Sequence, residues 1–205
     1  MKRILTTNTL DESRVSSDPF KQFRKWLLES AGRRAVLPET MTIATATRSG
    51  RPSVRTLLLR EFDYSGFVFY TDYSGRKGKE LAENPQAALV FYWPRMGRQV
   101  RVEGRVFKVS SKESDNYFSS RPRDSQLSAW ASQQSRVVRN RGFLEERVKR
   151  FGEKYPSKIP RPPYWGGYRL EPSVFEFWEE RPGRLHDRLR YRHSKGGWII
   201  ERLAP

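Results

Sequence analysis

The chain has 205 residues, and its 40 Lys and Arg against 23 Asp and Glu give a formal net charge of +17. It contains no cysteine and two histidines, which excludes disulfides, thiolate nucleophiles and cysteine-ligated zinc and predicts no metal site. No apolar segment reaches the roughly 18 residues of a membrane span. No apolar signal segment follows Lys2 and Arg3, so we expect a cytoplasmic protein without a membrane partner.

The positive charge permits three interpretations: a basic soluble surface, nucleic-acid binding, or the capture of phosphorylated small molecules. Basic residues are spread along the whole chain, without a lysine-rich tail or a block of about five like charges. This distribution disfavours specific nucleic-acid binding. With 36% hydrophobic residues the chain is polar, and we expect it to complete its core by association.

The N-terminal part divides into an arm and the start of a domain. Residues 1–17 show little pattern and are expected to form a flexible arm, and residues 18–205 a single domain. Asp18 and Pro19 are typical of a helix start. The helix is predicted to end at Gly32. Its apolar face is formed by Phe20, Phe23, Trp26 and Leu27.

Strands are predicted to dominate the next part of the chain. Alternation of apolar and polar residues and the intervening turn residues predict strands over 41–47, 53–60, 67–71, 87–93 and 99–106. Ser74 is predicted to cap a short basic helix that runs to Asn84.

Helices and three further strands are predicted for the second half. One helix starts at Ser111 and ends before Pro122, and Asn140 caps a second that runs to about Lys154. A stiff linker over 159–163 precedes strands over 174–178, 185–192 and 198–203. Many short strands joined by tight turns favour an antiparallel barrel, so the predicted fold class is mainly β with peripheral helices (α+β).

Two arginines on the second predicted strand are candidate anion ligands. Arg55 and Arg60 are five positions apart and point to opposite faces of a regular strand. They are either solvated arginines at the strand ends or ligands of two different anions.

A second candidate lies where a strand meets a helix N-terminus. Tyr70 and Thr71 end the strand, and Arg76 and Lys77 open the helix, whose free N–H groups and positive dipole attract an anion. The alternative is a solvated basic first turn.

A third candidate combines a phenol, a guanidinium and a hydroxyl. Tyr117 and Arg121 share a helical face at i, i+4, and the break at Pro122 can bring Ser125 alongside. All three groups donate hydrogen bonds, which suits a phosphomonoester, although a surface cluster is the alternative. Gln99, Gln134, Ser135 and Trp178 carry no signal alone.

The block Arg184-Leu185-His186-Asp187-Arg188 is a fourth candidate. In an extended segment Arg184, His186 and Arg188 share one face, a pattern that suits an anion pocket better than a core. The candidates supply several donor-rich anion sites but no nucleophile and no carboxylate pair, a profile that fits chemistry performed by a bound cofactor.

These motifs, in this order, resemble the pyridoxamine 5'-phosphate oxidase family from about Asp18 to Pro205. The matching segments are Arg-Lys-Gly at 76–78, Arg-Gln-Val-Arg at 98–101, Ser-Arg-Pro-Arg-Asp-Ser-Gln at 120–126, Gln-Ser at 134–135, Trp-Gly-Gly-Tyr at 165–168, Glu-Phe-Trp at 176–178, Arg-Leu-His-Asp-Arg at 184–188 and the terminal Arg-Leu-Ala-Pro. The resemblance implies an antiparallel split β-barrel homodimer with two FMN sites at the subunit interface.

The resemblance also implies roles for individual residues. The FMN contacts would be Arg55, Thr56, Leu57, Leu58, Leu59, Arg60, Tyr70, Thr71, Arg76, Lys77, Gln99, Gln134, Ser135, Trp178 and Arg188. The substrate phosphate would be held by Arg60, Tyr117, Arg121 and Ser125. Arg184 and His186 would be the catalytic pair, placed over the substrate ring near the reacting carbon.

The implied reaction is the oxidation of pyridoxamine or pyridoxine 5'-phosphate to pyridoxal 5'-phosphate in vitamin B6 metabolism. Hydride passes from the substrate C4' to FMN, O2 is reduced to hydrogen peroxide, and the amine substrate also releases ammonia. The alternatives are a related FMN oxidase of the phenazine-biosynthesis type, on another substrate, and a flavin-binding protein without enzymatic activity.

The chain departs from the family pattern at five positions. Arg60 replaces a usual Lys, Gly75 a Ser, and Leu37 an acidic residue. Lys2 and Leu5 stand where the family carries an Arg and a Tyr in the arm over the substrate.

Overall fold

The computed structural model describes residues 10–32 and 37–205, which contain five α-helices and nine β-strands. The helices are α1 (Pro19–Gly32), α2 (Arg76–Glu83), α3 (Ser111–Ser120), α4 (Arg123–Ala131) and α5 (Arg141–Lys154). The strands are β1 (Thr40–Ala46), β2 (Pro52–Leu58), β3 (Glu61–Asp63), β4 (Gly66–Asp72), β5 (Gln86–Trp93), β6 (Arg98–Lys108), β7 (Trp165–Glu179), β8 (Asp187–Ser194) and β9 (Gly197–Arg202). None of these helices is long and apolar enough to cross a membrane.

The strands form one antiparallel sheet in the order β2-β1-β5-β6-β7-β4-β3. β8 pairs with β7 and β9 with β8. β7 is long enough, at 15 residues, to pair with β4, β6 and β8, so the sheet curls around it. The predicted fold class, an antiparallel split barrel with peripheral helices, is confirmed.

A bulge between Glu103 and Gly104 lets β6 follow the bend of β7. A Cβ at Gly104 would lie 1.9 Å from the carbonyl oxygen of Glu171, so only glycine permits this approach. Pro172 lies opposite Gly104, where the ladder is already irregular.

Aromatic rings from α1 and the sheet fill the main core. Asp18 Oδ1 accepts a hydrogen bond from the N–H of Phe20, which fixes the start of α1 as predicted. Phe23 is fully buried and packs edge-on against Phe67 and Phe91 with centroids 5.0 and 4.8 Å apart. Trp26 packs against Phe177 in the same way.

A second apolar cluster lies between β7 and the helices α3 to α5. Its buried members are Phe118, Leu127, Ile159 and Trp165. Asn140 accepts from the N–H of Phe143 and caps α5 as predicted. Trp130 donates to the carbonyl of Pro160, which ties α4 to the proline-rich segment.

Three predictions about secondary structure are wrong, and one helix was missed. Ser74 does not cap α2: the N-cap is Gly75, and Ser74 instead bonds to Asp72 in the preceding turn. Pro122 is the N-cap of α4, a helix that was not predicted. The strand predicted over 174–178 begins nine residues earlier, at Trp165, and the one predicted from Leu185 begins at Asp187.

Part of the predicted flexible arm contacts the C-terminal strands. Leu10 is buried, and Arg202 donates to the Leu10 carbonyl and to both Glu12 carboxylate oxygens. Tyr191 Oη donates to the Ser16 carbonyl. The flexibility of the arm stays a prediction, and Lys2 and Leu5 lie outside the described residues.

Candidate cofactor and substrate site

The end of β4 and the start of α2 form a cradle of polar side chains. Lys77 Nζ donates to Thr71 Oγ1 at 2.8 Å and to Gln134 Oε1 at 2.5 Å. The N–H of Arg76 donates to Ser135 Oγ at 3.2 Å. One side chain of the strand end, two residues of the helix and two of the segment after α4, all predicted as site residues, thus meet at a helix N-terminus. Tyr70, predicted as a contact of the same cofactor, is not among them.

Glu80 organises the basic side chains beside this cradle. Its carboxylate, 4% exposed, accepts from Thr45 and Ser53 at 2.5 Å each, from Arg76 Nε at 2.9 Å and from Arg55 Nη2 at 3.3 Å. Burial alone raises its pKa, but these hydrogen bonds outweigh burial and lower the pKa to about 2. Arg55 and Arg76 are therefore held by a carboxylate that stays ionised.

Lys77 has an uncommon environment for a lysine. It is 8% exposed and forms no ion pair with a carboxylate of the residues that the structure describes. Burial, with a further contribution from Arg55, lowers its pKa to about 8. An anion bound here would recover the cost of burying this charge.

The cradle opens into a cleft of about 410 Å³ that is lined by Arg76, Glu80, Gln134, Ser135 and six other residues. Arg55, Arg76 and Lys77 contribute three positive charges and Glu80 one negative charge. These groups carry an excess of positive charge, which suits a phosphate monoester. The cradle therefore fits the phosphate of a nucleotide-like cofactor.

A second group of donors lies on the opposite face of β4. Tyr70 follows Phe69 and precedes Thr71, so its side chain points away from the cradle. Its ring stacks on Tyr117 of α3 with centroids 3.8 Å apart and on Trp165 at 5.6 Å. A Cβ at Gly167 would lie 2.8 Å from the Tyr70 ring, so a glycine on β7 leaves room for this stack.

Arg60 and Arg121 approach the same aromatic rings. The Arg121 guanidinium lies 4.7 Å from the Trp165 centroid, and that of Arg60 5.8 Å from the Tyr117 centroid. Tyr70 Oη and Arg121 Nη1 are buried and have no hydrogen-bond partner among the described residues. Burial raises the pKa of Tyr70, so its hydroxyl keeps its proton, and two buried donors are left for an acceptor from outside.

Arg55 and Arg60 belong to different groups. Arg55 lies with Glu80, and Arg60 beside Tyr117. The intervening segment runs through Thr56, Leu57, Leu58 and Leu59, of which Leu57 and Leu59 pack on the core. Ser125 lies in the first turn of α4, where its side chain makes no hydrogen bond to a described residue. Leu37 is exposed and has a positive φ of 54°.

Three further predicted residues lie in one row across the sheet. Gln99 of β6 is opposite Trp178 of β7, and Trp178 is opposite Arg188 of β8. The row lies on the face away from the core, because Val100, Phe177 and Leu189 of the neighbouring row are fully buried. Arg188 donates to Glu176 at 2.9 Å and to the Ala204 carbonyl at 2.7 Å.

The prediction that Arg184, His186 and Arg188 share one extended face is wrong. Pro182–Arg184 form a 3₁₀ turn, and Gly183 and Arg184 have positive φ values of 67° and 62°. Only Arg188 lies on a strand. His186 instead turns back over the sheet, where its ring centroid is 4.7 Å from that of Trp178.

The sequence did not single out several residues that shape the site. Glu80, Thr45 and Ser53 hold the cradle, and Trp165 supports the stack. The i, i+4 spacing of Arg76 and Glu80 is the one sequence signal that points to Glu80.

Comparison with known proteins connects this geometry to a family. Residues 33–155 match pyridoxamine 5'-phosphate oxidase, and residues 165–205 match the pyridoxine 5'-phosphate oxidase C-terminal dimerisation region. The chain belongs to the pyridoxamine 5'-phosphate oxidase family.

Two curated relatives are named pyridoxine/pyridoxamine 5'-phosphate oxidase. The one from Paraburkholderia phymatum is 51% identical over 206 residues, which cover 100% of this chain and 97% of the relative. The one from Burkholderia mallei is 54% identical over 200 residues, which cover 96% of this chain and 94% of the relative.

Two solved structures share the fold. PhzG from Burkholderia lata, determined with tetrahydrophenazine-1-carboxylic acid, has a TM-score of 0.92 and 31% identity, covering 98% of this chain and 99% of PhzG. An FMN-binding protein from Nostoc punctiforme related to pyridoxamine 5'-phosphate oxidase has a TM-score of 0.72 and 22% identity. The match covers 93% of this chain and 100% of the Nostoc protein. FMN is the cofactor of this oxidoreductase family, and the dimerisation region supports a homodimer.

Proposed function

We propose that this oxidoreductase converts pyridoxine and pyridoxamine 5'-phosphates to pyridoxal 5'-phosphate with O2 as the acceptor. The observation that carries the proposal is the pair of buried, unpartnered donors, Tyr70 Oη and Arg121 Nη1, beside Arg60 and Tyr117. This group lies on the face of β4 opposite the cradle, so the chain offers two separate anion sites. FMN accounts for one phosphate, and a phosphorylated substrate accounts for the other.

In this proposal the cradle of Arg55, Arg76 and Lys77 binds the FMN phosphate. Thr71, Gln134 and Ser135 orient it through hydrogen bonds. Bound FMN supplies the two-electron chemistry, taking hydride from the substrate and passing electrons to O2. The row of Gln99, Trp178 and Arg188 and the segment 56–60 supply the remaining contacts to the cofactor.

The substrate phosphate is held by Arg60, Tyr117, Arg121 and Ser125 in the same proposal. Anchoring of the phosphate fixes the position of the C4' carbon, and orientation of this kind is worth several orders of magnitude in rate. Arg184 and His186 contact the substrate ring near that carbon. His186 lies beside Trp178, so a cofactor contact and a substrate contact are adjacent.

We further propose that the FMN sites lie between the two subunits. Mixing a variant that lacks Lys77 with one that lacks Arg188, after joint refolding, then restores partial activity, because each mixed dimer has one intact site. If the mixture is no more active than its parts, Lys77 and Arg188 of one subunit serve the same site.

A second candidate is oxidation of a phenazine precursor, favoured by the TM-score of 0.92 to PhzG. A carboxylic acid without a phosphate would leave much of the Arg60, Tyr117 and Arg121 group without a partner. Buried donors that lack a partner are costly, which favours the phosphorylated substrate.

A single assay separates these functions. The purified holoprotein is supplied in air with pyridoxine 5'-phosphate, pyridoxamine 5'-phosphate, unphosphorylated pyridoxine or a dihydrophenazine carboxylic acid, and aldehyde and peroxide are measured. We expect kcat/KM for the phosphates to exceed that for pyridoxine by on the order of 100-fold or more. Bound FMN without pyridoxal 5'-phosphate or peroxide would contradict the proposal, and turnover of the phenazine alone would favour the second candidate.

A further inference from the structure

The loop that connects β7 to β8 folds back onto its own start. The backbone N–H of Arg181 donates a hydrogen bond to Nδ1 of His186 at 3.0 Å. Between them, Gly183 and Arg184 have left-handed backbone conformations, and a non-glycine residue such as Arg184 adopts this conformation only at a cost of about 1 kcal/mol. The loop therefore needs other contacts to stay in this form.

The side chain of Arg181 supplies such contacts. Its Nη2 donates to Glu179 Oε2 at 2.7 Å and its Nε to Asp187 Oδ2 at 2.5 Å. Glu179 and Asp187 are the paired residues at the end of β7 and the start of β8. Arg181 thus bridges the two strand ends from inside the loop.

Both carboxylates are themselves held from outside the loop. Arg98 of β6 donates to Glu179 at 2.7 Å, and Arg202 of β9 donates to Asp187 at 2.9 Å. Glu179 and Asp187 are 2% and 9% exposed, so these ion pairs are screened little by solvent. The network fixes Arg181 relative to the sheet, and with it the N–H that faces His186.

A hydrogen bond from a backbone N–H defines the tautomer of the imidazole. The N–H can only donate, so Nδ1 must carry a lone pair, and the proton of the neutral ring lies on Nε2. His186 also packs on Trp178, with the two ring planes inclined by 49°. The hydrogen bond and this packing together fix the orientation of the imidazole.

We propose that Arg181 is a positioning residue that holds His186 as the Nε2–H tautomer, so that His186 offers a hydrogen-bond donor to the substrate. The role of the donor rests on the proposed function, in which His186 contacts the substrate ring. Arg181 itself acts only through the loop. Its ion pairs with Glu179 and Asp187 fix the loop that carries His186.

The chain has two histidines, which makes the tautomer directly measurable. Protein labelled with [¹⁵N]histidine gives two imidazole signals in a long-range ¹H–¹⁵N spectrum, and His193→Gln assigns them. We expect the His186 signal of the holoprotein to show a protonated Nε2 and an unprotonated Nδ1. A protonated Nδ1 in the neutral ring would overturn the proposal without any activity measurement.

The variants Arg181→Ala and Arg181→Lys test the positioning. For Arg181→Ala we expect mixed tautomer signals from His186 and a fall of about 10- to 100-fold in the rate of anaerobic flavin reduction at saturating substrate. KM and the FMN Kd change little, because both phosphate groups are intact. Arg181→Lys, which keeps one ion pair, restores part of the rate.

The matched control is Arg192→Ala, which removes an exposed arginine of β8 that is paired with Glu201. It should leave the His186 signal and the reduction rate unchanged. An Arg181→Ala protein with wild-type signals and rate contradicts the positioning role. A tautomer change in a protein that makes no pyridoxal 5'-phosphate supports the positioning and contradicts the proposed function. If Arg181→Ala does not fold, Arg181→Lys and the wild-type spectrum decide.

Discussion

The rings of Tyr70 and Tyr117 stack with their centroids 3.8 Å apart and their planes inclined by 17°. Tyr70 belongs to β4 and Tyr117 to α3, so the stack attaches the helical cluster to the sheet. Burial raises the pKa of Tyr70, with further contributions from Glu113 and Glu61, so its hydroxyl stays protonated. The hydroxyl can therefore donate a hydrogen bond to an incoming phosphate oxygen. The stack is thus both a structural contact and one wall of the proposed substrate site.

Arg121→Ala should weaken substrate binding while FMN stays bound. Arg121 Nη1 is buried and has no described partner, so its expected partner is the substrate phosphate. Loss of a charge-assisted hydrogen bond of about 2 to 3 kcal/mol corresponds to a fall of roughly 30- to 150-fold in kcat/KM, mostly through KM. Steady-state kinetics with pyridoxine 5'-phosphate measure the effect.

The control for this variant is Arg141→Ala, which removes the same charge from a side chain that is 89% exposed on α5. Its kcat/KM should stay within about twofold, since exposed ion pairs contribute little. Release of FMN from Arg121→Ala, with KM unchanged, would show that the two phosphate sites are assigned in reverse.

Gly167→Ala should disturb the stack directly. The new Cβ would lie 2.6 Å from a methyl group of Val109 and 2.8 Å from the Tyr70 ring. Overpacking of this kind costs about 1 to 3 kcal/mol, and relief by movement of Tyr70 should also raise KM. Thermal unfolding measures the loss, and Gly196→Ala, with nothing within 4 Å, is the matched control. Equal melting temperatures for the two variants would contradict the close packing.

Local signals predicted the elements with clear caps and periodicity. α1 and α5 follow their capping residues Asp18 and Asn140, and the strands of the first half follow alternation. The first half of β7 was missed because Gly166, Gly167 and Pro172 are typical of turns. In the fold those glycines admit side chains from neighbouring elements, and the proline lies at a bulge.

The candidate site likewise combines residues that local sequence signals indicate with residues that only tertiary contacts reveal. The junction of strand and helix predicted Thr71 and Lys77, the resemblance supplied Gln134, and the structure brings the three together. Glu80 was missed because α2 carries two acids, Glu80 and Glu83, and no local signal shows which of them is buried. The course of the loop before His186 was also missed, since the positive φ of Arg184 depends on contacts that only the folded sheet provides.

The affinity for FMN should fall at high pH because Lys77 has a pKa of about 8 in the protein without ligand. The phosphate dianion, whose second pKa is about 6, binds the protonated amine. Kd should therefore be lowest near pH 7 and rise above pH 8, by up to about tenfold per pH unit. Fluorescence titration of FMN measures this dependence. Lys77→Arg, which stays charged, should remove the rise, and an unchanged rise in that variant would exclude Lys77 as its source.

The stability of the protein without FMN should change with pH in the opposite direction. Between pH 8 and 10.5, the ordinary pKa of lysine, the unfolded chain binds more protons at Lys77 than the folded chain does. The free energy of unfolding from this group therefore increases with pH over that range. Denaturant unfolding of wild type and Lys77→Met at several pH values checks the sign, since the variant should lose this increase.

Glu80→Ala should destabilise both the fold and the cradle. The carboxylate accepts hydrogen bonds from Thr45 and Ser53 and pairs with Arg55 and Arg76, so its removal leaves their donors without an acceptor. We expect a loss of about 2 to 3 kcal/mol in the free energy of unfolding at pH 7, below the cost for a fully buried pair because both arginines are partly exposed. FMN affinity should fall as well, since Arg55 and Arg76 lose the group that positions them.

The pH dependence of this effect identifies its cause. The pKa of Glu80 is about 2 in the folded chain, below the ordinary glutamate value of 4.5, so its contribution to stability is complete above pH 4.5 and is lost as pH falls towards 2. The difference in unfolding free energy between wild type and Glu80→Ala should shrink over that interval in denaturant titrations. Glu83→Ala, at an exposed position of the same helix, controls for the loss of an acidic side chain from α2. A difference that does not depend on pH would mean that the packing of Glu80, rather than its charge, stabilises the cradle.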